Sequence, residues 1–301
     1  MRLQSILLYR SIGLNIDSIQ NILGNSNRDN YLNHLNNQWT LVNDEIHRLN
    51  IIRNSLAEVI DKIYEDTDEY TINEDLLEII NESNKLNGIK NEWEDKWNFN
   101  NWAKSYNDDI KKDIGELKIY NNYNLILQTV YDLVKALNKT NPRILEIGVG
   151  TGNLAGKFLN SNYNMIGIDQ SREMLAVAKE KYPGLKVRLG KFLKIPYDNN
   201  SFDIIISTYA FHHLNEEEKH IAIKEMMRVL NNDGAIIIGD LMFESKQAEG
   251  IILKDLSLNQ IGEVKDEYYS YIDELVNEFN KHNKKLEYTK IDMFNYIIKI
   301  I

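Results

Sequence analysis

The chain has no cysteine, which excludes disulfides, thiolate metal sites and a cysteine nucleophile, and leaves no mark of an oxidising compartment. Proline is nearly missing: Pro142, Pro183 and Pro196 are the only three, and none precedes residue 142. Glycine is equally lopsided, with Gly13, Gly24, Gly88 and Gly115 alone before Gly148, Gly150 and Gly152 arrive together. No apolar run approaches the roughly 18 residues of a membrane span. The Ile6-Leu7-Leu8-Tyr9 patch near the start is too short for a secretory core, so a cytoplasmic protein without membrane contact is expected. Positive charge is in deficit as well. Lys and Arg number 35 against 45 Asp and Glu, a net charge of −10 that suits general nucleic-acid binding poorly. What is present is 301 residues with 43% hydrophobic and 10% aromatic side chains, enough for a packed core and, by length, for two domains.

The missing glycine and proline make the first half read as mostly helical, while the second alternates short β-rich runs with helices. The change falls between Asp66 and Trp97. Leu32, Leu35, Trp39, Val42, Ile46, Leu49, Leu56, Ile60 and Ile63 follow a heptad pattern broken only at Arg53, which predicts a coiled-coil seam that needs a partner helix. That partner is a second copy of the chain or, within one chain, the segment around Leu76 to Ile80. Ahead of the seam, Gly13 reads as a helix stop. Asn15 or Asp17 then caps a short helix with Ile16, Ile19, Ile22 and Leu23 on its apolar face. Residues 1–65 in this order resemble the second helix-turn-helix and dimerisation coiled coil of the MerR family of transcription regulators. The family's recognition helix and wing would lie before this point, so DNA binding is not expected of this chain, and a homodimer is. A helical connector is expected over 66–97.

From Arg143 to Leu154 an apolar strand, a glycine-rich turn and a helix start follow one another. The spacing G-x-G-x-G, preceded by Glu146, differs from the G-x-G-x-x-G of dinucleotide sites. An acid there suits a positively charged ligand, which favours S-adenosylmethionine with its amino group and sulfonium. The next strand, Met165–Asp169, ends in an acid 21 residues after Gly148, placed to grip both ribose hydroxyls. Gln170, Ser171 and Met174 open the following helix, and Met174 is a candidate for packing on an adenine. Further strands read at Leu185–Leu189, Phe202–Ser207 and Ala235–Asp240, with a helix from Glu216 to about Leu230, and a closing hairpin over Lys285–Ile291 and Phe294–Lys299. The alternation predicts an open parallel sheet with its ligand at the carboxyl ends of the strands.

Residues 98–301 resemble a class I S-adenosylmethionine-dependent methyltransferase, closest to the YrrT-like group. The resemblance is carried by Trp102-Ala103 with Tyr106, by Glu146 to Leu154, by Ser207 to Leu214 and by Glu267-Tyr268-Tyr269. It implies a Rossmann-like, seven-stranded sheet. It also implies cofactor contacts at Glu146, Gly148, Gly150, Gly152, Asp169, Gln170, Met174, Ser207, Ala210 and Tyr106, and at Lys191 and Phe192 in the loop after the third strand. The family usually has an acid where Lys191 stands, so adenine recognition passes to the backbone and to stacking on Phe192. Trp102 and Tyr106 are expected to form a lid. Tyr209, Tyr268 and Tyr269 are expected to line an acceptor pocket, with His212 and His213 as candidate bases. No H-E-x-x-H or carboxylate cluster suggests a metal. The expected activity is in-line methyl transfer to a small molecule; the competing reading is a MerR-like regulator that uses this fold to sense a metabolite.

Overall fold

The computed structural model describes residues 2–11, 13–24, 28–65, 81, 88–89, 95–159 and 163–301. The chain divides into two compact units, Met1–Glu92 and Trp93–Ile301. The segment around Leu76 to Ile80 and most of the expected connector lie outside the described residues.

In the first unit, α1 (Arg2–Ser11) stops at Gly13, whose φ of 83° is left-handed. The Gly13 amide donates to the Arg10 carbonyl and the Leu14 amide to that of Tyr9, the paired bonds of a glycine-terminated helix. Helix α2 (Ile16–Gly24) buries Ile19 and Ile22 beside Tyr9 and Leu14. Ile16 was expected on that face but is 62% exposed, because Leu14, carried in by the glycine turn, fills the space instead. The heptad positions all fall on one helix, α3 (Arg28–Glu65), of 38 residues. Leu32, Val42, Ile46, Leu49, Leu56, Ile60 and Ile63 along it are exposed.

The second unit is built on a mixed sheet with helices around it. Its strands are β1 (Arg143–Ile147), β2 (Asn164–Asp169), β3 (Lys186–Leu189), β4 (Phe202–Thr208), β5 (Leu230–Phe243), β6 (Ser270–Tyr271), β7 (Leu286–Lys290) and β8 (Asn295–Ile300). The order is β3-β2-β1-β4-β5-β8-β7, with β8 antiparallel to β5 and β7. The eighth strand, β6, pairs with the end of β5 and was not expected. Because β1, β4 and β5 are buried on both faces, they read as nearly continuous apolar runs.

The helices of this unit are α4 (Phe99–Trp102), α5 (Tyr106–Lys112), α6 (Tyr123–Ala136), α7 (Ala155–Phe158), α8 (Arg172–Lys181), α9 (Glu216–Val229), α10 (Lys246–Ile252), α11 (Leu258–Lys265) and α12 (Ile272–Lys281). Helix α6 lays Ile126, Leu127, Val130 and Val134 into the core, an apolar stripe at helical spacing. Helix α9 begins in a capping box, with Asn215 and Glu218 each bonding the other's amide, so the chain after β4 ends at a fixed point. No helix among the described residues is long and apolar enough to cross a membrane.

Candidate active site

Strand order reverses between β1 and β4, and a cleft opens there at the carboxyl ends of the strands. Its volume is about 770 Å³ including the open mouth, within the range of small-molecule sites. Four of the parallel strands deliver parts of the wall: Gly148 and Gly150 after β1, Asp169 and Gln170 at the tip of β2, Gly190 to Leu193 after β3, and Thr208 to Ala210 at the end of β4. Of the sequence candidates, Gly148, Gly150, Asp169, Gln170, Met174, Lys191, Phe192, Ala210, Tyr106, Trp102, Tyr209 and His213 line this one cavity. Phe99, Tyr120, Ile147 and Leu193 also line it and were missed. Ile147 sits inside the Glu146–Leu154 motif; the other three are apolar or aromatic residues in no motif, so only the fold brings them in.

The glycine turn does two separate jobs. Gly148 (φ 72°) lies so close to Ala210 that an added Cβ would stand 2.5 Å from the alanine's own. Gly150 (φ 50°) faces open space, leaving bare backbone beside the cavity. Gly152, expected to hold cofactor, instead backs onto Tyr182, Leu185 and Ala178, where a Cβ would meet atoms from 3.1 Å; it serves packing. The Gly150 amide donates to Asp169 Oδ2 at 2.8 Å and the Ser171 amide to Oδ1 at 2.9 Å, which fixes the carboxylate at the cavity wall. Burial raises the Asp169 pKa to about 6, with those backbone bonds opposing.

Four more sequence candidates sit elsewhere than expected. Glu146 lies beneath the turn, 2% exposed, with Oε2 unpartnered, and burial raises its pKa well above the ordinary carboxylate range. Ser207 is fully buried and its hydroxyl donates to the Ile147 carbonyl, tying β4 to β1. Tyr269 packs on Phe243 and Phe294, away from the cavity. Tyr268 accepts a hydrogen bond from Lys96 Nζ at 2.7 Å on the outer surface.

An aromatic staircase covers the opening. Trp97, Phe99, Trp102 and Tyr106 stack in succession at centroid distances of 6.1, 6.3 and 4.9 Å. Asn107, one residue on, accepts from Thr151 Oγ1 and Asn153 Nδ2, which fastens α5 to the glycine turn. The floor is a tyrosine cluster in which Tyr209 stacks on Tyr120 and Tyr123. Tyr209 has φ 51°, a left-handed backbone that costs about 1–3 kcal/mol in a non-glycine residue and is held here by burial. Burial pushes the phenols of Tyr120, Tyr123 and Tyr209 upward, so they remain protonated.

The two histidines part ways. His212 is 1% exposed and does not reach the cavity. Its Nδ1 pairs with Asp240 Oδ1, while Asp240 Oδ2 accepts the amides of Ala210, Phe211 and His212. Burial works against a charge on His212, but Asp240 outweighs it and the pKa is raised. His213 does line the cavity, with Trp97 at 4.3 Å and Phe99 at 5.0 Å from its ring. Its Nδ1 lies 3.1 Å from Glu267 Oε2, and Trp97 Nε1 donates to Glu267 Oε1 at 3.1 Å. Burial, then the neighbouring His212, lower the His213 pKa to about 4. His212, His213 and Glu267 are the only trio among the described residues spaced like a metal-ligand set, with atoms within 4.8 Å of one another.

A model of the methyltransferase domain matches residues 145–238. An uncharacterized methyltransferase of Oceanobacillus iheyensis is 37% identical over 206 residues, covering 66% of this chain and 93% of its own length. One from Alkaliphilus oremlandii is 36% identical over 205 residues, covering 66% and 94%. The chain belongs to the methyltransferase family, in its class I form. Magnesium protoporphyrin IX methyltransferase of Synechocystis PCC 6803, solved with bound SAH, shares the fold at 16% identity, covering 68% of this chain and 99% of that one, with a TM-score of 0.52. The family match over 145–238 runs through β1 to β5 of the second unit, the strands around the cavity just described.

Proposed function

We propose that the protein transfers a methyl group from S-adenosylmethionine, in line, to a small-molecule acceptor. The observation that carries this is the backbone-held Asp169 carboxylate beside the bare Gly150 backbone, at the wall of one cavity. Asp169 takes the ribose hydroxyls; Gly148 and Gly150 admit the ligand's close approach; Gln170, Met174 and Phe192 border the base. Lys191 stands where relatives carry an acid, and the adenine edge is read by backbone. Ala210 and Tyr106 flank the methionine part. Methyl transfer from a sulfonium needs alignment and exclusion of water more than acid catalysis. The staircase of Trp97, Phe99, Trp102 and Tyr106 supplies both, and Tyr209 borders the acceptor. Binding of S-adenosylmethionine and S-adenosylhomocysteine by isothermal titration tests the reading; no binding of either would refute it.

The exposed heptad stripe of α3 supports homodimerisation through that helix, in the cytoplasm, and the α1–Gly13–α2 arrangement supports the MerR-like reading of residues 1–65. The same arrangement favours one alternative, a regulator in which the methyltransferase cleft senses a metabolite. Cofactor-dependent DNA retardation without turnover would favour that regulator; turnover without DNA binding favours the enzyme.

A further inference from the structure

The network behind His213 specifies which of its nitrogens faces the cavity bare. An ionised carboxylate only accepts hydrogen bonds, so the contact between His213 Nδ1 and Glu267 Oε2 places the proton on Nδ1. In the neutral ring the lone pair is then on Nε2, the nitrogen left over in a side chain that lines the cavity. Glu267 is itself pinned. Trp97 Nε1 donates to its other oxygen, the Tyr268 amide donates to the His212 carbonyl at 2.9 Å, and Lys219 Nζ donates to the Tyr268 carbonyl. The pairing of β6 with the end of β5 brings this segment, 54 residues away in the chain, beneath the histidine.

We propose that Glu267 is a positioning residue that fixes His213 as the proton acceptor for a hydroxyl-bearing methyl acceptor. This rests on the methyltransferase reading above. In the step, the hydroxyl oxygen forms its bond to the methyl carbon as the carbon–sulfur bond breaks. The bond's electrons stay on sulfur, giving S-adenosylhomocysteine, and the hydroxyl proton passes to His213 Nε2 and afterwards to water.

Two observations favour a hydroxyl over an amine. Among the described residues lining the cavity, only Asp169 carries a carboxylate, and it stands at the ribose end. A cationic amine therefore finds no carboxylate in the lining at the acceptor end, where Phe99, Trp102 and Tyr120 form the wall and Glu267 is engaged by His213 and Trp97. The second is chemical. A neutral amine keeps its proton as a stable ammonium after transfer, whereas a hydroxyl becomes strongly acidic only as the new bond forms. A weak base suffices at that moment. His213 is such a base: burial and the neighbouring His212 hold its pKa down, with Glu267 and Asp240 opposing, and Lys219 Nζ lies 5.8 Å over the Phe211 ring.

Nitrogen-15 spectra of histidine-labelled protein with bound S-adenosylhomocysteine read the tautomer directly. The proton of His213 is expected on Nδ1 across pH 5–8. In Glu267→Gln, Trp97 still needs an oxygen acceptor, so the amide nitrogen faces His213 and the proton moves to Nε2. A deproteinised metabolite extract incubated with cofactor carrying a carbon-13 methyl group is expected to yield label in methoxy products. Glu267→Gln is expected to slow their formation about a hundredfold or more with cofactor affinity unchanged. A proton on Nε2 in the native protein, label in N-methyl or S-methyl products alone, or loss of turnover on chelator treatment each overturns the proposal. Failure to bind cofactor, or label in no product at all, would sink the methyltransferase reading instead.

Discussion

Cofactor affinity should depend on pH through Asp169 and through no other carboxyl at the turn. Glu146 sits beneath the same glycines, but it is buried, its pKa is pushed upward by that burial, and it does not line the cavity. Asp169 is raised only to about 6, so at pH 7.5 it is nearly all ionised. Ribose hydroxyls donate best to the ionised form, which leaves both oxygens as acceptors. At pH 5, one unit below that value, about one tenth of the sites are ionised, and the apparent Kd for S-adenosylhomocysteine should rise about tenfold. Because binding selects the ionised form, about half a proton per ligand should be released at pH 6. Titration calorimetry in two buffers of different ionisation enthalpy measures both quantities. Asp169→Ala removes two charge-assisted contacts of about 1.5 kcal/mol or more each, so its Kd should rise at least about a hundredfold and lose its pH dependence. Unchanged circular dichroism would show that the fold survives. A flat profile in the native protein, or proton uptake on binding, would refute the ribose assignment.

Four further outcomes follow from the structure. Gly148→Ala drives a methyl to 2.5 Å from Ala210 Cβ at a left-handed φ of 72°, and should cost about 2 kcal/mol or more, read as a lowered urea midpoint. Gly150→Ala meets no atom within 4 Å, and should keep most of that stability while weakening cofactor binding. For His213 the folded pKa of about 4 lies below the unfolded value of 6.5, so the unfolded chain binds the extra proton between them and stability drains as the pH falls through that window. His213→Phe abolishes this, and relative to native it should gain up to about 3 kcal/mol between pH 6.5 and 4; an unchanged difference would refute a neutral His213. Ile46→Glu with Leu49→Glu places charge on the exposed α3 stripe, and sedimentation should then report a monomer where the native chain reports a dimer.

The parts of this molecule legible in its sequence share one property: the signal and the structure it dictates lie within a few residues of each other. Gly13 ends a helix by its own φ, the heptads make one helix, and Gly148, Gly150 and Asp169 mark strand ends that deliver them to a single wall. Errors arise where a local pattern admits two meanings and only tertiary packing chooses. Gly152 has the same spacing as Gly150, yet Tyr182 stands behind it. His212 and His213 are adjacent, but the 3-10 turn at Phe211–His213 rotates one toward Asp240 and the other toward the cavity. Tyr268 and Tyr269 look like pocket aromatics, while β6 turns the first outward and the second into the core. Glu267 beside them is part of the motif that carries the resemblance, but its role is not legible there, because its partners His213 and Trp97 lie 54 and 170 residues away. The proposed site thus divides along the same line: the residues proposed to hold the cofactor come from strand tips and are readable in order. The proposed proton acceptor is assembled from three distant segments, and its surroundings exist only once the sheet has formed.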